Sequence, residues 1–240
     1  MTSTTRRPTS VDAFGIDRCQ VKHLIVSHGH HDHFEPIEIL CFAEALPHPL
    51  SVYGSTMVCD ALAFCRRQAF DSGSKRFVTQ SRPFNIELNT MVPGTTAQVG
   101  DTRVTAVQSN HLMDKLYCIM EQQALNFVIE AYDQTIYYDL DSSYVIPATL
   151  ERLSHFRFDI AVMDATFGPL EIDPAQSGHM SWKMLDETIA EFREASCIDD
   201  ETIIIADHLS PGSVEPYDKI VNVLAARGIT LAYDGLKVEL

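Results

Sequence analysis

Two periods of apolar and polar positions alternate along this chain of 240 residues. Short β-branched or alternating runs predict strands at 23–26, 51–53, 77–80, 84–88, 102–108, 159–164 and 202–206, with a hairpin over 124–138 turning at Asp133-Gln134 and a pair of strands at the end of the chain. Helical spacing of apolar residues predicts helices at 35–46, 55–70 with Ser55 as its cap, 148–155, 181–195 and near 215–227. Strands alternate with helices and no repeat or low-complexity tract interrupts them, so the fold class is α/β.

The first strand runs directly into Ser27-His28-Gly29-His30-His31-Asp32-His33. Imidazoles and a carboxylate at this density are donors that suit Zn²⁺, Mn²⁺ or Fe rather than Ca²⁺. The plainer reading is a histidine-rich surface loop. Such a cluster cannot close a metal site alone, but three further strand-like runs end in donors. His111 follows 102–107, Asp139 and Asp141 follow 135–138, and His208 follows 202–206. Polar groups in layered α/β proteins converge at strand ends while the strands fill the core. Of the two acids, Asp141 is the better placed, because beyond the strand a loop side chain can turn inward. Asp164 ends the run 159–163 beside Thr166, and reads equally as a group behind a ligand histidine or as a turn cap. His31 is expected to face solvent or to stand behind the ligands, and His23, His48 and His155 to be structural or solvated.

These residues carry a resemblance to the metallo-β-lactamase fold, a superfamily of dinuclear metal hydrolases, from about Val21 to Leu240. The resemblance implies an αββα sandwich. It also implies that His28, His30 and His111 hold one metal, that Asp32, His33 and His208 hold the other, and that Asp141 bridges them. Two divalent ions, Zn²⁺ or Mn²⁺ with Fe as a further candidate, are thus the implied cofactors. Within the superfamily, several segments are similar to the ribonuclease Z and cyclic-phosphate phosphodiesterase branch: Tyr138-Asp139-Leu140-Asp141-Ser142, Ala124 to Glu130, Ala206-Asp207-His208-Leu209-Ser210 and Ala232-Tyr233-Asp234-Gly235-Leu236. Gly178-His179-Met180-Ser181 looks like the helix start from which that branch supplies an extra catalytic imidazole. Asp32 and His179 are therefore the residues assigned to catalysis, with Ser181 capping a helix as the alternative reading of the second segment.

The chemistry accounts for the residue types. Paired cations can activate a hydroxide and neutralise charge on phosphoryl oxygens. An alkoxide leaving group benefits from a proton delivered by a positioned imidazole. A phosphodiesterase acting on a small or cyclic phosphate ester is the first functional expectation. A lactone or thioester hydrolase on the same centre, and an inactive homologue that still binds metal, are the alternatives.

Composition narrows the partners. With 45% apolar residues the chain can bury one sizeable core, and 1–240 reads as a single domain whose first 20 residues form a short N-terminal segment. A net charge of −15, with 18 basic residues and no long basic run, argues against a large nucleic acid and for a small anionic substrate. No apolar run is long enough to span a bilayer, residues 1–8 do not read as a secretory signal, and the six scattered cysteines suit a reducing compartment, so a cytoplasmic location is expected. Only 27 residues precede His28, whereas the resembled family leads into this motif through several strands. The usual N-terminal strands are expected to be missing, leaving a sheet edge that is covered by a homo-oligomer or leaves the protein of low stability. A shortened form of a longer gene product is the other reading.

Overall fold

The computed structural model describes residues 14–79, 84–111 and 124–239. The chain forms two compact units, one from the first 90 residues with the last four, the other spanning Met91–Leu236. Both are α/β, the class expected.

The first unit contains β1 (His23–Val26), α1 (Pro36–Glu44), β2 (Leu50–Gly54), α2 (Thr56–Cys65), β3 (Gln68–Asp71), β4 (Arg76–Thr79) and β5 (Ile86–Thr90). Strands β1, β2 and β5 make a parallel sheet in that order, with Leu24 opposite Val52 and Val52 opposite Leu88. Its core is Val26, Phe34, Leu40, Leu50, Val52, Val58, Leu62 and Ile86. Ser55 caps α2 as expected, its hydroxyl accepting from the Val58 amide. The helix expected to continue to residue 70 stops at Cys65, and Gln68–Asp71 instead pairs antiparallel with Arg76–Thr79 as a separate ribbon. The cause is the Asp71-Ser72-Gly73-Ser74 turn, whose Asp71 carboxylate accepts from Gly73 N at 2.8 Å and from Ser74 Oγ at 3.0 Å.

The second unit holds β6 (Thr96–Val99), β7 (Thr102–Gln108), β8 (Leu125–Ala131), β9 (Gln134–Tyr138), α3 (Pro147–Leu153), β10 (Ile160–Asp164), α4 (Trp182–Glu194), β11 (Ile203–Asp207), α5 (Tyr217–Ala225) and β12 (Ile229–Leu231). They form one seven-stranded sheet ordered β12-β11-β10-β9-β8-β7-β6. Strands β9 to β12 are parallel, and β6 to β9 are joined antiparallel. Because β7 and β9 are both antiparallel to β8, they run in the same direction as β10 and β11. The carboxyl ends of all four strands therefore open onto one edge of the sheet, where His111, Asp141, Asp164 and His208 follow or end them. The core beneath is aromatic: Tyr137 stacks on Phe158 at 5.2 Å and both rings meet Phe192. The expected terminal strand pair is one strand only, since the chain leaves the sheet after Leu231 and turns at Gly235 with φ +90°. Trp182–Glu194 starts after Ser181, whose hydroxyl accepts from Met184 N. Segment 112–123, which includes Cys118, lies outside the described residues. The cysteines at 19, 41, 59 and 197 are free thiols.

Candidate metal centre

In the first unit the histidine motif closes as a tight turn at the end of β1. The amides of His33 and Phe34 both donate to the His30 carbonyl, at 3.0 and 2.7 Å, while the buried Phe34 ring anchors the far side. This folds the rings together: the His28 centroid lies 4.7 Å from that of His30 and 4.6 Å from that of His33. Ser27 Oγ meets His28 Nδ1 at 3.0 Å, and Asp32 Oδ2 is 3.5 Å from His33 Nε2. His31 is exposed, as are His23 and His155, and His48 binds the Cys19 carbonyl through Nε2 at 2.8 Å.

In the second unit the loops that leave β7 and β9 are laced together. Ser109 Oγ donates to the Asp141 carbonyl at 2.6 Å, Asn110 Nδ2 donates to Ser143 Oγ at 2.8 Å, and Thr149 Oγ1 donates to the Gln108 carbonyl at 2.8 Å. Asp141 has φ +53° and His208 φ +58°, a left-handed backbone that costs a non-glycine residue about 1 kcal/mol. Each is held there by a hydroxyl on its own carbonyl, Ser109 for Asp141 and Thr166 for His208, the latter at 2.8 Å. The turn brings the Asp141 carboxylate between two imidazoles. His111 Nε2 lies 3.6 Å from Oδ2, and His208 Nε2 lies 3.1 Å from Oδ1.

The other ring nitrogens set the tautomers. His111 Nδ1 faces the Gly178 carbonyl at 2.8 Å, so it donates. Thr166 Oγ1 spends its proton on the His208 carbonyl and accepts from His208 Nδ1 at 2.8 Å. Both Nε2 atoms are then acceptors aimed at a carboxylate that only accepts, an arrangement that a divalent cation relieves. The donor set therefore fits a metal ion.

Asp139 lies elsewhere. It is fully buried, Asn126 Nδ2 donates to its Oδ1 at 2.7 Å, and burial followed by the charge of Asp164 pushes its carboxyl well above the usual range. Of the two acids it is Asp141 that meets His111 and His208. Asp164 is the turn cap that the sequence offered as one reading, and the imidazole it holds is that of His179. Its Oδ1 accepts from the Thr166 amide at 2.8 Å as a turn cap, and its Oδ2 receives His179 Nδ1 at 2.8 Å. His179 stacks on His208 with centroids 5.3 Å apart, and one donor atom from each of Asp141, Asp164, His179 and His208 falls within 4.8 Å of the others. The sequence did not point to Ser109, Asn126 or the Gly178 carbonyl as parts of this assembly. Ser109-Asn110 immediately before His111 was the available signal.

The sequence profile of the beta-lactamase superfamily domain matches residues 10–198. No curated protein matches the chain. Similar solved structures include the metallo-beta-lactamase fold protein YhfI of Bacillus subtilis, with TM-score 0.65 and 16% identity over 93% of this chain and 80% of that one. The short form of human tRNase Z has TM-score 0.59 and 15% identity, covering 94% of this chain and 82% of its own. A diphosphatase of the PhnP family has TM-score 0.58 and 18% identity, covering 91% and 71%.

Proposed function

The chain belongs to the beta-lactamase superfamily, and on that footing we propose that it is a dinuclear metal-dependent hydrolase cleaving a small or cyclic phosphodiester. The ligands are those of the family pattern: His28, His30 and His111 for one ion, Asp32, His33 and His208 for the other, with Asp141 shared. Each unit presents its own members of that set as gathered donors. When bound, divalent metals supply an activated hydroxide and neutralise phosphoryl charge.

The observation that carries the phosphodiesterase reading is the His179–Asp164 contact at 2.8 Å. An ester of phosphorus expels an alkoxide, which needs a proton. Asp164, fully buried, fixes Nδ1 of His179 as the donor to its carboxylate and leaves Nε2 as the atom that carries the proton outward. The stacked His208 ring and the Thr166 hydroxyl, 3.3 Å from His179 Nδ1, keep the imidazole in that orientation. The relatives named tRNase Z and diphosphatase support chemistry at phosphorus. The net charge of −15 favours a small anionic substrate over a polynucleotide.

Metal content by elemental mass spectrometry, on protein purified without added metal or chelator, tests the centre. Hydrolysis of bis-p-nitrophenyl phosphate by the same sample tests the reaction. Two metals per chain, with hydrolysis that Asp141→Ala abolishes, is the expected result. Bound metal with cleavage of a lactone or thioester and none of the phosphodiester would replace this reading by the carbonyl one. Failure to bind metal after Zn²⁺ or Mn²⁺ is supplied would remove both.

A further inference from the structure

Phe167 stands against the proposed acid without a part in its hydrogen bonds. Its ring lies 5.8 Å from that of His179 at 84°, edge to face, and the residue is only half-buried, so some of its surface stays open to solvent. The next apolar side chain of the same turn, Leu170, is 45% exposed. Proton delivery by His179 uses neither.

Phe167 and His179 are tied to the same few peptides. The Phe167 amide donates to the Met180 carbonyl at 2.9 Å, and the Leu170 amide donates to the Phe167 carbonyl at 3.1 Å. On the other side, buried Ser177 clamps His179 through one oxygen, its Oγ accepting from the His179 amide at 3.0 Å and donating to the His179 carbonyl at 2.6 Å. The phenyl ring thus keeps its place beside the imidazole without help from a substrate.

Charge restricts what the ring can meet. Between Arg157 and Lys183 the chain has no lysine or arginine, while Glu171 and Asp173 follow Leu170 directly. A leaving group with an anionic group of its own finds no cationic side chain in this loop and two carboxylates instead. Open aromatic and aliphatic carbon gains by burial against apolar carbon.

We infer that Phe167 is a specificity-determining residue and that the group leaving phosphorus is an uncharged apolar alcohol of the benzyl type. This rests on the reading of His179 as the acid. In that step water supplies the oxygen that adds to phosphorus, the P–O bond to the alcohol breaks, and the alcohol oxygen takes the proton of His179 Nε2. Such a transfer needs the two heavy atoms about 2.6–3.2 Å apart. The carbon borne by that oxygen is then within reach of a ring whose centre is 5.8 Å from that of the imidazole.

Esters of methylphosphonic acid test this on the full chain loaded with Zn²⁺ or Mn²⁺, because the methyl group on phosphorus cannot leave and the departing alcohol is unambiguous. Benzyl and methyl alcohol differ little in acidity, so a preference between their esters reports contact rather than reactivity. The benzyl ester is expected to have a kcat/KM about tenfold higher or more, a ratio that Phe167→Ala collapses toward one and Phe167→Tyr keeps. Calorimetry with the two phosphinates that carry a methylene in place of the ester oxygen reads the same contact without turnover. The phenyl-bearing phosphinate should bind about tenfold tighter to the wild type and no tighter to Phe167→Ala. A ratio near one in the wild type, or one that survives Phe167→Ala, overturns the proposal. So does a higher kcat/KM for the choline or the glycolate ester of the same acid, which would put a charged group in that place. Cleavage of no ester at all is instead the failure of the phosphodiesterase reading; the phosphinate pair then decides the subsite alone, and equal binding of the two removes it.

Discussion

Thr166 holds His208 at two points with one oxygen. Its Oγ1 accepts from Nδ1 at 2.8 Å and donates to the His208 carbonyl at 2.8 Å, which fixes the ring tautomer and the left-handed backbone together. Removing that hydroxyl frees the ring to turn its other nitrogen toward Asp141. We expect Thr166→Val to weaken binding of the metal near His208 by about 10- to 100-fold, and Thr166→Ser to restore it. Zn²⁺ titration against a chromophoric chelator reads this directly. Equal affinities for the wild type and the valine variant would show that the hydroxyl does not orient the ligand.

His179 should separate turnover from metal binding. Its Nδ1 is held by Asp164 at 2.8 Å, so His179→Ala is expected to lower kcat for a phosphodiester with an alkyl leaving group by about 10²- to 10⁴-fold. Metal content should stay the same. With p-nitrophenolate, which leaves without a proton, the loss should be much smaller. Asp164→Asn is expected to follow His179→Ala in direction, because an amide in that place cannot hold the imidazole by charge. A variant that loses metal instead would make His179 a ligand.

The turn at Gly168 joins β10 to the segment that carries His179. Gly168 has φ +53°, its carbonyl accepts from Trp182 N at 2.7 Å, and a Cβ there would come within 2.3 Å of Val214 Cγ1. Gly168→Ala is therefore expected to cost about 1–3 kcal/mol by chemical denaturation and to lower turnover by displacing the imidazole. Unchanged stability and unchanged kcat together would show that the turn absorbs the methyl group.

Most of the strands could be read from the chain, because their signal is local. Thr102–Gln108 has the bounds its alternation implies, and Ser55 caps the helix it was expected to cap. The ribbon was misread for an equally physical reason. No proline or glycine stands between Cys65 and Phe70, so the sequence reading continued the helix five residues too far, whereas Phe64 and Phe70 both lie on an exposed surface. Thr96–Val99 was not foreseen, since its alternation runs over only four residues and ends in Ala97 and Val99 between two turns. At the site, the donors themselves were visible as His and Asp at the ends of strands. What holds them was not, since the Thr166–His208 contact spans 42 residues and depends on Asp164 lying opposite Asp207 in the register of β10 and β11. Sequence spacing carries no record of that register.

Cys197 gives the fold an alkaline limit. The thiol is completely buried, and burial lifts it from an ordinary value of 9.0 to about 11. A group raised on folding stabilises the native state below its unfolded value and loses that contribution as pH rises toward the folded one. Between about pH 9 and 11 the protein should thus lose about 2 kcal/mol from this group. The buried Tyr137 phenol, also raised, adds to the loss above about pH 10. Urea titrations at the two ends of this range should show a smaller drop for Cys197→Ala than for the wild type, although the variant starts lower because of the cavity. An identical drop in both proteins would assign the alkaline loss to other groups.

The hairpin between β8 and β9 is closed by Tyr132 and Asp133, at φ +52° and +63°, with Ala131 opposite Gln134. Two consecutive left-handed residues in a two-residue loop make a type I′ turn, whose preferred sequence is Asn-Gly. Tyrosine is a poor occupant, and at 89% exposure its ring contributes almost no burial in exchange for the backbone strain. Tyr132→Asn with Asp133→Gly is therefore expected to stabilise the protein by about 1 kcal/mol, raising the melting temperature by about 2–4 °C. Differential scanning calorimetry of the double variant checks it, and metal content and kcat should not move, since neither residue touches the site. A lower melting temperature would mean that Tyr132 is held in place by a contact worth more than the strain, and would turn attention from the turn to whatever that exposed ring meets.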